Sequence, residues 1–163
     1  MALIIEDGTI VAGANTYIDV ATANIILAYF NMPSLSISND EASLTAAAQY
    51  LESFRDRYKG SKVSSAQSLQ FPRINLTIDG FDFPSDEIPE QLKKAQAIAA
   101  SLVSSGKSLY SNSSGQEILS KSVDVISVTY AKNGLSNSQP IFGLIDAQLQ
   151  PLLNTTKLST VRI

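Results

Sequence analysis

The sequence predicts a mainly α fold: a small bundle of three to four helices with a short protruding β element and an extended C-terminal tail. Two long segments repeat apolar residues at three- and four-residue steps, the spacing of one buried helix face. One stretch near 119–132 alternates residue by residue instead, as a strand does. The closing KLSTVRI is too short to nucleate a helix, and its Thr, Val and Ile favour extended chain.

The elements follow in order. LIIE, a turn at Asp7-Gly8 and TIVA read as one short extended piece over residues 1–12. Asp19 or Thr16 caps a first helix whose Ile18, Ala21, Ile25 and Ala28 are spaced for one buried face, and Asn31-Met32-Pro33 stops it. Ser38 with Glu41 makes a capping box for the second helix. That helix runs to about Tyr58 with Leu44, Ala47, Leu51, Phe54 and Tyr58 as its seam, and Gly60 ends it. A third helix begins at Pro89, where a missing amide costs nothing, and Ile88, Leu92, Ala95, Ala99 and Leu102 form its stripe. Gly106 closes it. Residues 104–117, rich in Ser, Gly and Asn, read as a loop. SVDVISVTYAKNGL is the best strand, with a slip at Ile126–Ser127 that suggests a bulge. A last helix spans roughly Ile141–Leu153, failing near Pro151. Residues 1–153 thus form one domain with a β insertion, and residues 154–163 an arm.

Between the second and third helices lies SLQFPRINLTIDGFDFPSDEIPEQ, with three phenylalanines, three prolines and an Asp-Gly turn. Loops this long inside a compact domain are either functional or disordered. The Phe, Ile and Leu content speaks against disorder.

Composition narrows the chemistry. The 163 residues, 44% hydrophobic and 17% charged, suit a single core. The apolar run Ile25–Phe30 is far too short to span a bilayer, and MALIIEDG lacks the basic start of a secretory signal. There is no cysteine and no histidine, which excludes disulfides, Cys- or His-based metal sites, hydrolase triads and imidazole acid–base chemistry. The net charge of −3 argues against gripping nucleic acid over most of the surface. No catalytic residue, cofactor or metal site is expected.

Two clusters invite a functional reading. Asp79, Asp82, Asp86, Glu87 and Glu90 match no EF-hand spacing, and acids before a helix start are what the helix dipole favours anyway. The second comprises Tyr50, Phe54, Arg55, Arg57, Tyr58, Lys59, Lys62, Phe71 and Arg73. Interleaved aromatics and cations are the chemistry of single-strand binding. The helical spacing of Phe54 and Tyr58 instead suggests core, with Arg55, Arg57, Lys59 and Lys62 solvated, or with the arginines paired with acids of a neighbouring subunit.

MALIIEDGTIVAGANTYIDVATANIILAYF, LQFPR, DEIPEQLKKAQAIAA and PLLNTTKLSTVRI, in that order, resemble a family of tailed-bacteriophage proteins. Its members are often labelled DnaT-like single-stranded-DNA-binding and resemble head-to-tail adaptor, or head-completion, proteins. Glu6-Asp7-Gly8, Asn15, Tyr17, Phe71-Pro72-Arg73 and Ile88-Pro89 carry the likeness. A tryptophan usual near the second helix end and before Pro-Arg is absent here.

The resemblance implies a ring, of twelve copies to match a portal, sitting in the virion neck after synthesis in the host cytoplasm. Implied partners are the portal protein, a tail-side neck or tail-terminator protein, further copies of the chain, and double-stranded DNA passing without specific binding. No membrane is implied. On this reading Leu158, Val161, Arg162 and Ile163 bind the portal, while Arg55, Arg57, Phe71, Arg73, Phe81 and Phe83 line the subunit interface. The alternative reading is a single-stranded-DNA-binding replication accessory protein.

Overall fold

The computed structural model describes residues 2–36, 40–110, 120–123, 126–129 and 143–154. The chain divides into two compact units, Met1–Leu109 with Phe142–Ile163, and Tyr110–Ile141.

The larger unit is built on four helices: α1 (Val20–Tyr29), α2 (Glu41–Glu52), α3 (Glu90–Ser104) and α4 (Gly143–Leu149). α4 runs on into a 3-10 turn at Gln150–Leu152, which accommodates Pro151 near its start. α3 is central and packs against α1, α2 and α4. Its Ala95, Ala97, Ala99 and Ala100 are all buried, and such small side chains let neighbouring helices close in on several sides. Leu27, Leu44, Leu51, Leu92, Ile98, Ile145 and Leu149 fill the space between them.

Asp19 caps α1, its carboxylate accepting the Thr22 N–H at 2.7 Å. The expected buried face of α1 is corrected. Val20, Ala23 and Leu27 point inward, whereas Ala21, Ile25 and Ala28 are exposed. VATANIILAY is apolar nearly all round, so its pattern carries no phase. α2 starts one residue after Asp40, which occupies the cap position. The expected cap, Ser38, lies outside the described residues. The seam Leu44, Ala47, Leu51, Phe54 and Tyr58 is buried throughout, but α2 ends at Glu52 and a 3-10 turn, Arg55–Arg57, carries the last part of it. Ser53 Oγ donates to the Tyr50 carbonyl there at 2.6 Å, tightening the exit. α3 begins at Glu90, one residue after the expected start, with Pro89 at its N-cap, and Gly106 (φ +78°) closes it.

More β structure is present than the sequence suggested. β1 (Ser61–Lys62) pairs antiparallel with β2 (Arg73–Ile74), and β3 (Thr77–Ile78) with β4 (Phe81–Asp82). Asp79 and Gly80 link β3 to β4 with φ of +53° and +88°, the positive pair that a two-residue type I′ hairpin requires. In the smaller unit, β5 (Ser120–Val123) and β6 (Ile126–Thr129) pair antiparallel, Val123 opposite Ile126. The expected single strand with a bulge is therefore two paired strands. In the N-terminal segment, expected as one short extended piece, Ile5 makes an isolated parallel bridge with Thr16.

Candidate interaction surfaces

The 61–88 connector is anchored through Phe71, which is fully buried. Tyr17 and Tyr58 meet its ring edge-on, with centroids 6.4 and 5.0 Å away. The Phe71–Pro72 peptide is cis. One carboxylate ties this anchor to the helices. Glu52 Oε1 accepts the Tyr17 hydroxyl at 2.7 Å and the Gln70 N–H at 3.0 Å, while the Phe71 N–H donates to Tyr17 Oη at 3.3 Å. Burial first, and then the Glu52 charge, raise the Tyr17 pKa well above its ordinary value.

Arg73 continues the same structure inward. Its Nε donates to the Lys59 carbonyl at 2.7 Å and its Nη2 to the Gly60 carbonyl at 2.8 Å. Nη1 reaches the Gln70 carbonyl and side-chain oxygens at 3.3 and 3.2 Å. The guanidinium lies 5.8 Å from the centroids of both Tyr58 and Phe71. Burial lowers its pKa from the usual arginine value. Arg73 holds β2 to the end of the second-helix segment and has no surface to offer a partner. The same is true of Phe71, so two of the six expected interface residues are internal.

The N-terminal segment closes on the same unit. Glu6 is fully buried, its carboxylate accepting the N–H groups of Gly8, Ile10 and Val11 at 2.9–3.0 Å. Asn15 Oδ1 accepts the Ile4 N–H at 2.9 Å. Gln96 on α3 is a hub: Oε1 accepts the Tyr17 N–H at 3.0 Å, and Nε2 donates to Thr16 Oγ1 and the Leu44 carbonyl at 2.7 and 3.0 Å. Sequence reasoning missed Glu6, Glu52 and Gln96 as hubs. The legible signal for Gln96 was a lone amide within an alanine-rich buried stripe, a group that must find partners.

The outward-facing groups differ in kind. Tyr50, Phe54, Tyr58 and Phe71 are all buried, so the expected aromatic–basic cluster presents no stacking ring from these four. Arg55 and Arg57 are exposed. Neither forms an ion pair among the described residues, where Lys93–Glu90 at 2.9 Å is the pair seen. The Arg57 guanidinium lies 5.3 Å from the Phe54 centroid. On the β3–β4 hairpin Phe81 is 78% exposed, with Asp79 and Asp82 exposed beside it, whereas Phe83 is half-buried against the core.

The hairpin and the Arg55–Arg57 turn both border the 3-10 turn at Gln150–Leu152. Lys59 Nζ donates to the Pro151 and Thr77 carbonyls at 2.7 and 3.5 Å, and the Asn154 N–H to the Arg57 carbonyl at 2.7 Å. On α1, Ile25 and Tyr29 are 75% and 82% exposed. Leu158, Val161, Arg162 and Ile163 lie outside the described residues. Among the described residues no cluster of three or more potential metal-ligating side chains occurs, and no helix is long and apolar enough to cross a membrane.

A family model described as "Putative DnaT-like ssDNA binding protein" matches residues 1–163. The chain belongs to that family. No curated protein matches it, and no solved structure does. Within this DnaT-like chain, Glu6, Gly8, Asn15, Tyr17, Phe71, Arg73 and Ile88 serve the interior or its closing loops. The motifs that carry the resemblance therefore shape the unit.

Proposed function

We propose that the chain is a structural head-to-tail adaptor of a tailed phage, set in a homo-oligomeric ring below the portal in the virion neck. One observation carries the protein-contact reading over the nucleic-acid one. The four aromatic rings of the basic cluster are interior, and Phe81, an exposed ring on the neighbouring connector, is flanked by carboxylates that repel phosphate. The ordered series of motifs from EDG to LSTVRI supports the phage setting. In this role the chain performs no catalysis. Its partners are the portal, a tail-side neck or tail-terminator protein, and further copies, with double-stranded DNA passing unbound.

Co-purification with a portal ring tests the proposal. Deleting residues 157–163 is expected to leave helical circular dichroism unchanged and to abolish portal capture, because an extended apolar–basic segment gains backbone hydrogen bonds on a partner's sheet edge. Full capture by the truncated chain would move the docking surface elsewhere.

The family description favours a second reading, binding of single-stranded DNA in replication. The adaptor proposal expects oligonucleotide affinity no tighter than the non-specific range, about 10⁻⁴–10⁻⁶ M, and lost at moderate salt. Fluorescence anisotropy reads this directly. Nanomolar binding at physiological salt, lost on Arg55→Ala with Arg57→Ala, would install the second reading instead.

A further inference from the structure

We infer that the β3–β4 hairpin is a self-docking element: Phe81, with Asp79 and Asp82, seats against the Arg55–Arg57 turn of a second copy of this chain. The hairpin is preorganised. Its type I′ turn at Asp79-Gly80 is tight, Ile78, opposite Phe81 in the ladder, is buried, and the Phe83 N–H donates to the Leu76 carbonyl at 2.8 Å to close the base. A ring held outward on a fixed backbone loses little freedom on docking, and aromatic anchors of this kind dominate contact energetics.

The charges around the ring select the occupant. Asp79 and Asp82 are exposed and have no cationic partner among the described residues. A fitting surface offers cations beside an apolar seat. The chain carries cations at Arg55 and Arg57, both exposed and without an ion pair among the described residues, and the Arg57 guanidinium, already over the buried Phe54 ring, supplies the flat seat. Planar guanidinium groups can stack on a phenyl face and fork onto carboxylates at once. Asp56 lies between the arginines and is exposed, and Lys59 on the far side leaves the turn net positive. The proposal gives a surface to the self-contact of the adaptor reading and rests on that reading only for the need for one.

Sedimentation of the full chain over a concentration series tests it, without portal, so that failure of portal capture is scored separately. The wild-type chain is expected to self-associate, more weakly as salt rises. Phe81→Ser is expected to weaken association at least tenfold with unchanged circular dichroism. Arg55→Glu with Arg57→Glu, and Asp79→Asn with Asp82→Lys, are each expected to abolish it, and a 1:1 mixture of the two variants to restore a complex. Asp79→Asn keeps a residue that tolerates positive φ. A chain that stays monomeric at the highest concentration overturns the inference. So does association that survives Phe81→Ser and both charge variants, or a mixture that fails to associate.

Discussion

Phe71→Ala is expected to destabilise the larger unit by about 3–5 kcal/mol, the range for removing a buried phenyl ring. The ring is fully buried, meets Tyr17 and Tyr58 edge-on and lies under the Arg73 guanidinium. Its loss leaves a cavity whose walls cannot easily collapse, because Tyr17 is bonded to Glu52 and Arg73 to the Lys59 and Gly60 carbonyls. Phe81→Ala, ten residues on, removes an exposed ring and is expected to cost within about 0.5 kcal/mol. Denaturant titration of the two variants side by side checks the contrast. A loss below about 1 kcal/mol for Phe71→Ala would mean that the connector is not anchored where the packing places it.

Gly8→Ala is expected to cost nearly as much. Gly8 has φ of +112°, and a Cβ there would lie 2.0 Å from the Asp86 carbonyl oxygen. Backbone strain contributes about 1–3 kcal/mol. The forced separation of two packed loops adds about 1–3 kcal/mol more. Gly80→Ala isolates the first contribution, since Gly80 also has positive φ but nothing within 4 Å of an added Cβ. Equal thermal shifts for the two variants would show that the N-terminal loop does not press on residue 86.

Much of the helical core was legible because periodicity there has a phase. Leu44, Ala47, Leu51, Phe54 and Tyr58 are buried as their spacing predicts, and so are Ile88, Leu92, Ala95 and Ala99, while Leu102 is partly buried. α1 was misphased since apolar residues on every face make all phases fit equally well. β1 to β4 escaped notice for a different reason: two-residue strands are too short to show alternation, though the Asp79-Gly80 turn between them was visible. Arg73, expected at a subunit interface, is buried instead. Only tertiary packing brings the Lys59 and Gly60 carbonyls to it, and no local pattern encodes that meeting. Arg55, Arg57 and Phe81, three of the expected interface residues, are exposed.

The Gln96 hub has a kinetic side. Through it, and through Tyr17 Oη, the amides of Tyr17 and Phe71, both in irregular backbone, are bonded to side chains 79 and 54 residues away in sequence. Such an amide meets solvent only when the elements holding its acceptor separate. These two loop positions are therefore expected to exchange their protons as slowly as amides inside α3, which hydrogen exchange would read directly.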